Sequence, residues 1–535
     1  MTTHPLTLDR VTHRLPDGRT LFSDLSFSFE PVRTGLVGAN GVGKSVLARL
    51  LCGAETPAAG RCHGGGRVFL LPALSGRPQG TVADLCAVAP VLAALDRIAQ
   101  GSVDPEDFST VGDRWDLRER LRQRWAQEGL PADLRPQDAA SRLSGGQAMQ
   151  VALSGAWASD ADWLILDEPS NHLDARHRAL LQQQLSQWRA GLLVISHDRT
   201  LLEDMQCIVE LDARGLQRFS GPYSHYARLR ATQLASAQAQ LEHARHQHRR
   251  QLQEARELEQ RAQQRQARGE RNARTANQAP ILLGLAKRRA QATAARHAHL
   301  QELRLDESAA RLRQAASRVD AGAQLAALAP DNPHAAQRVA HLQQVVLPHG
   351  CSAALDLTLQ RGQRLAITGD NGSGKSTLLR MLAGQLPPRS GQLHVAVPVA
   401  LLDQQLSGMT GSHTVLQAVR DAAPQAAVAE LRTRLALLGL DAQRIERAFA
   451  TLSAGERLKA ALACALYAEP APGLLLLDEP GNALDLGALA ALETLLAQYR
   501  GTLVMVSHDE RLHHAMRPTH TLRVDETGWR LQVHG

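Results

Sequence analysis

Aromatic residues are scarce in this chain, at 3% of 535 residues, and no Phe, Trp or Tyr occurs from Ala227 to Ala448. Single-stranded bases bind by stacking on aromatic platforms, so the middle of the chain is not built for that task. Cysteine is also sparse. Cys52, Cys62, Cys86, Cys207, Cys351 and Cys464 are scattered and form no C-x-x-C pair, which argues against a zinc or disulfide framework. Long apolar runs are missing too. The longest, such as Leu474–Leu477, are strand-sized, whereas a membrane-spanning helix needs about 18–20 apolar residues. The opening MTTHPLTLDR has no basic stretch leading into an apolar one, so a cytoplasmic location is expected. Lysine is rare, four against 56 arginines, yet Lys44 and Lys375 both fall inside the glycine-rich motifs described next.

What is present is an internal repeat at long range. GANGVGKS at Gly38–Ser45 recurs as GDNGSGKS at Gly369–Ser376, and LSGGQ at Leu143–Gln147 recurs as LSAGE at Leu452–Glu456. LILDEPSNHLD at Leu164–Asp174 recurs as LLLDEPGNALD at Leu475–Asp485, and VISHD ending at Asp198 as VMVSHD ending at Asp509. Asp167 to His197 and Asp478 to His508 are both 30 residues apart, while lysine to signature serine spans 100 residues in the first copy and 78 in the second. The catalytic ends match; the helical region between them is longer in the first copy. With 44% apolar residues the chain can fill two cores. The fold class expected is α/β, two P-loop domains at residues 1–227 and 336–535, joined by an α-helical hairpin at 228–335.

That middle stretch is compositionally distinct. Residues 228–320 carry 19 basic against 9 acidic residues, a net +10 in a chain of +7, so everything outside it sums to −3. Leu234, Ala237, Leu241, Ala244, Ala255, Leu258 and Ala262 recur at heptad-like spacing, which predicts a helix over 228–268, roughly 60 Å long. Gly269, Asn272, Asn277 and Pro280 read as a break, and Lys287–Val319 as a return helix.

Each motif carries chemistry. In G-x-x-x-x-G-K-S, Gly38, Asn40, Gly41 and Gly43, and likewise Gly369, Asn371, Gly372 and Gly374, let backbone N–H groups wrap phosphates. Lys44 and Lys375 neutralise β/γ charge, and the hydroxyls of Ser45 and Ser376 suit Mg²⁺; Val46 and Thr377 follow them. Trp163–Leu166 and Leu474–Leu477 read as buried parallel strands. At their ends Asp167 and Asp478 are placed for the Mg²⁺ shell, and Glu168 and Glu479 to polarise an attacking water. His197 and His508 suit γ-phosphate sensing. Ser144, Gly145, Gly146 and Gln147, and their counterparts Ser453, Ala454 and Gly455, form an anion-binding helix start that needs a second nucleotide site to face.

These strings resemble the ATP-binding cassette superfamily over about 420 residues, and more narrowly its ABC-F branch, carried by EPSNHLD (Glu168–Asp174), FSGPYSHY (Phe219–Tyr226) and ILLGLAKRRAQ (Ile281–Gln291). The resemblance implies a cytoplasmic ATPase using ATP and Mg²⁺ at two head-to-tail composite sites within one monomer. It also implies that residues 228–335 enter the ribosomal E site towards rRNA and P-site tRNA. Departures from the family pattern cluster. Ala73 stands where a glutamine contacts Mg²⁺, whereas the second copy keeps Gln404. Val46 replaces a hydroxyl; Ala454 and Glu456 alter the second signature; Ala483 replaces the histidine seen at His172. Val46, Ala73, Ala454 and Glu456 all fall in the first composite site, so the second is expected to hydrolyse faster. Other classes share some of these features. A tandem importer ATPase shares the repeat but has a short linker, a DNA-associated ATPase would lay the basic arm on duplex, and a plain solvated arm would need no partner.

Overall fold

The computed structural model describes residues 4–74, 76, 78–171, 173–275, 296, 299–300, 302–315, 337–403, 413–452, 454–482, 484–525 and 528–534. They form two compact units, Met1–Tyr226 with Ala323–Gly535, and Ala227–Gly322. The first unit holds both repeats, each built on a six-stranded sheet. In the first repeat the strand order is Val68–Leu71, Trp163–Asp167, Gly191–Ile195, Arg33–Val37, Cys207–Asp212, Gly215–Ser220. All neighbours are parallel except the last pair. The second repeats this order with Val399–Leu402, Leu474–Asp478, Thr502–Val506, Arg364–Gly369, His520–Asp525 and Gly528–Val533. Leu474 to Leu477 are fully buried. Leucine favours helix in isolation, but a run covered on both faces of a parallel sheet gains more from burial than propensity costs.

Strands Trp163–Asp167 and Gly191–Ile195 show how packing differs between the copies. Trp163 is fully buried and sits opposite Gly191; a Cβ on Gly191 would lie 2.3 Å from the indole. In the second copy the paired residues are Leu474 and Thr502. A large–small pair in one cassette is replaced by two middle-sized residues in the other, which keeps the volume filled.

A separate three-stranded antiparallel sheet accompanies each core: Thr20–Phe29, Leu6–Arg14 and Ala59–Gly64, then Leu355–Gln360, Arg338–Val346 and Ser390–Val395. Each central strand has a bulge where Arg10 or Gln344 takes φ +48°. The bulge breaks the in–out alternation, so these strands carry little period-two signal.

The helix Gly145–Ala158 starts at the first signature and is locked from behind. Trp125 Nε1 donates to Ser154 Oγ at 2.9 Å, Cys86 Sγ donates to the Val151 carbonyl at 3.1 Å, and Gly155 lies against the Cys86 backbone.

The first arm helix is longer than its pattern predicts, running Tyr223–Thr275, about 80 Å at 1.5 Å per residue. It passes through Gly269 and Asn272, where a break was expected. Both are flanked by Arg, Glu and Ala, and one glycine costs a helix only about 1 kcal/mol. Asn277, Pro280, Lys287 and the ILLGLAKRRAQ segment lie outside the described residues. Of the return helix, residues 302–315 are helical, and His248 Nδ1 lies 2.8 Å from the buried Ser308 Oγ. Residues 60 apart in sequence thus meet, as a hairpin requires. Among the described residues no helix is long and apolar enough to cross a membrane.

Candidate functional site

Both phosphate loops leave the C-terminal end of a central strand and run into a helix, Lys44–Leu51 or Lys375–Leu382. Gly43 and Gly374 cap those helices at φ +106° and +103°. A Cβ on Gly43 would lie 2.6 Å from the Phe22 ring, so conformation and space both demand glycine. The ammonium of Lys44 donates to the Gly38 and Ala39 carbonyls at 2.8 and 3.1 Å, and that of Lys375 to Gly369 and Asp370 at 2.7 and 2.8 Å. Burial lowers the pKa of both lysines, opposed by Glu168 at Lys44 and by Glu479 at Lys375. Val46 packs into the first core, whereas Thr377 lines a cavity.

The carboxylates stand one strand away. Asp167 and Asp478 end their strands almost fully buried. Burial raises both pKa values, opposed by hydrogen bonds from Ser45 and Ser376 respectively. Asp478 Oδ1 is buried and has no hydrogen-bond partner. A hydroxyl beside an unpaired carboxylate oxygen is a hard-oxygen pair that fits Mg²⁺. Among the described residues no three His, Cys, Asp or Glu side chains cluster as a metal cage. Gln404, the remaining expected ligand, lies outside the described residues; Ala73 is exposed.

Glu168 and Glu479 show a feature no motif announces. Both have positive φ, +51° and +49°, a conformation that is strained for a non-glycine residue. Each is fixed by a backbone bond to the neighbouring strand, Glu168 N–H to Ile195 O at 2.8 Å and Glu479 N–H to Val506 O at 2.9 Å. The carboxylates consequently face the switch histidines, with His197 Nε2 and His508 Nε2 each 3.5 Å from a glutamate oxygen. Burial pushes Glu168 up to about 8 and Glu479 to about 7, and pushes His197 down to about 3 and His508 to about 4. The imidazoles are therefore neutral at pH 7.

The first cassette's signature reaches the second cassette's phosphate loop. Ser144 caps the signature helix in a reciprocal box, accepting from Gln147 N–H at 3.3 Å while its own N–H donates to Gln147 Oε1 at 3.0 Å. Ser144, Gly145 and Gly146 line one cavity of about 470 Å³ together with Asn371, Gly372, Gly374, Lys375, Ser376, Asp478, Glu479 and His508. Leu173, Arg178, His349 and Asn482 line it as well; sequence reasoning did not select them. On the opposite side Asn40 N–H donates to Asp485 Oδ2 at 3.0 Å, across 445 residues of sequence. Ser453 and the Ala454 side chain lie outside the described residues; Gly455 is buried. The Glu456 charge, expected to burden the first site, is met by Arg444 Nε at 2.9 Å.

The ABC transporter family profile matches residues 22–171 and 353–482. The chain is 32% identical to the tylosin resistance ATP-binding protein TlrC of Streptomyces fradiae over 96% of both chains. The chain belongs to the ABC-F family. The energy-dependent translational throttle protein EttA of Haemophilus influenzae is 29% identical over 94% of this chain and 89% of its own. Among solved structures, the RNase-L inhibitor superposes with a TM-score of 0.55 over 98% of this chain and 90% of its own, at 18% identity, which speaks for the fold alone. As an ABC-F protein with two intact phosphate loops, the chain binds and hydrolyses ATP.

Proposed function

We propose that this ABC-F protein acts on the ribosome, using ATP-driven closure of two composite sites to control how its basic arm engages ribosomal RNA and P-site tRNA from the E site. The cassettes would be residues 1–227 and 336–535, the arm residues 228–335, and one chain would supply both halves of each site. The observation that carries the reading is the joint one: signature residues Ser144–Gly146 share a cavity with Lys375 and Glu479, while residues 228–320 of the arm carry a net +10 in a chain of +7. Arginine pairs with phosphate bidentately, and neutralising phosphate releases counterions. Two full-length relatives are named for translation and for tylosin resistance, which favours a ribosomal target over membrane docking or duplex DNA.

In each site the loop N–H groups and lysine would hold the β- and γ-phosphates. Ser45 and Asp167, or Ser376, Asp478 and Gln404, would hold Mg²⁺, which neutralises phosphate charge when bound. Glu168 or Glu479 would accept the proton of the attacking water. Neutral His197 or His508 hydrogen-bonds the γ-phosphate. Loss of that phosphate removes what the facing signature holds, and the cassettes separate. A Glu168→Gln/Glu479→Gln variant should remain closed with ATP, co-sediment with ribosomes and inhibit translation in vitro. An unchanged translation rate at saturating variant would refute the reading.

A narrower reading, antibiotic resistance by ribosome protection, is favoured by the end-to-end likeness to the tylosin resistance protein. Expression in a tylosin-sensitive host should raise the inhibitory concentration several-fold, and an unchanged value would leave only the translation-factor reading.

A further inference from the structure

The cavity around Lys375 contains a cation that none of the phosphate-binding motifs supplies. Arg178 lies four residues past Asp174, in the helix Ala175–Gln187 of the first cassette, yet it lines the cavity of the second cassette's phosphate loop. Its Nε is buried without a hydrogen-bond partner. Its charge is felt by both groups that flank the reacting phosphate position. At Glu479 it is the strongest influence opposing the burial-driven rise, and at His508 it adds to burial and Lys375 in favouring the neutral ring. The matching place in the other composite site, four residues past Asp485, is Leu489, an apolar side chain buried in its own core.

A triphosphate brings several negative charges into this cavity, and charge accumulates on the γ-phosphoryl oxygens during transfer. Lys375 already spends two donors on loop carbonyls. A planar guanidinium with an unpaired N–H offers a fork matched to phosphoryl oxygens, which a lysine does not. We propose that Arg178 reaches across from the first cassette to the γ-phosphate of the nucleotide held by Lys375, as a catalytic arginine supplied in trans. This rests on the composite-site reading above. The equivalent position of the first site carries Leu489 instead, so an asymmetry between the sites would have a source in this guanidinium as well as in the departures at Ala73 and Val46. The same contact makes closure depend on the γ-phosphate, since ADP offers that guanidinium nothing at the position.

The test uses the full-length protein carrying Glu168→Gln, which silences the first site and leaves turnover at the second. Arg178→Leu, which copies the other site, should lower kcat on the order of 100-fold, as loss of one preorganised electrostatic donor does. It should weaken ATP binding while leaving ADP binding within twofold, and Arg178→Lys should recover part of the ATP affinity. Arg178→Gln, nearly the same size and polar, provides the reading if the leucine variant does not fold. Turnover and ATP-over-ADP preference within twofold of the parent in these variants would overturn the proposal. Ser144→Arg in the same background separates the two levels. If it abolishes turnover while Arg178→Leu does not, the arginine assignment alone fails; if it leaves turnover intact, the composite site itself fails and the arginine with it.

Discussion

Arg199→Ala should uncouple the cassettes. Arg199 opens the short helix Arg199–Glu203, directly after the switch residues His197 and Asp198, and forms an ion pair with Glu493 of the helix Leu486–Gln498. The two are 294 residues apart and belong to different cassettes. The arginine side chain is 6% exposed and its partner 25%. Truncating one member of a desolvated pair costs about 2–5 kcal/mol, because the other charge is left without its partner. Glu493 keeps some contact with water, so the lower half of that range, about 2–3 kcal/mol, applies. At 1.4 kcal/mol per tenfold, closure should weaken by roughly 30- to 150-fold. ATP affinity of the Glu168→Gln/Glu479→Gln protein reads closure, and a cycle with Glu493→Ala isolates the pair. A coupling energy below about 0.5 kcal/mol, or ATP affinity within twofold of the parent, would refute the reasoning.

Three further outcomes are expected. Gly191→Thr should cost about 2–3 kcal/mol by overpacking Trp163, and adding Trp163→Leu should recover most of it, because the second cassette carries that pair at the same register; denaturant melts check both. Glu479→Gln should reduce single-turnover hydrolysis far more than Glu168→Gln, and equal losses would remove the asymmetry. Cys86 and Cys464, pushed up to about 12 by burial, should resist alkylation at pH 8 in the native protein while partly exposed Cys52 and Cys351 react. Because their folded pKa exceeds the ordinary value of 9.0, the stability they contribute is intact below about pH 9 and declines as pH rises towards 12.

The candidate site was legible because its residues are local in sequence: glycine spacing, a strand ending in Asp-Glu, a histidine 30 residues on. The signature helix needs a second nucleotide site to face, and the head-to-tail arrangement itself comes from the family resemblance. What escaped the sequence is non-local or conformational. Nothing in the string around Arg178 says that its side chain reaches the other cassette, and Arg199 meets Glu493 only because the chain folds back across 294 residues. The positive φ of Glu168 and Glu479 carries no glycine to announce it; it is enforced by bonds to the adjacent strands. The signature string also gives no sign of Arg444, whose Nε pairs with Glu456. The arm helix outran its expected end because a helical context outweighs one glycine and one asparagine. The antiparallel sheets left almost no periodic trace, since bulges at Arg10 and Gln344 interrupt them.

The central claim is that the arm supplies ribosome affinity while the cassettes supply the ATP cycle. Its most direct measurement is ribosome binding as a function of salt for the protein with Arg265, Arg268, Arg271, Arg274, Lys287, Arg288 and Arg289 neutralised. Each lost phosphate contact should reduce the log–log salt slope by about 0.7–0.9. Binding should therefore weaken sharply and become less salt-dependent, while ribosome-free ATPase activity stays near that of the parent. Unchanged affinity and slope at moderate salt would contradict the account.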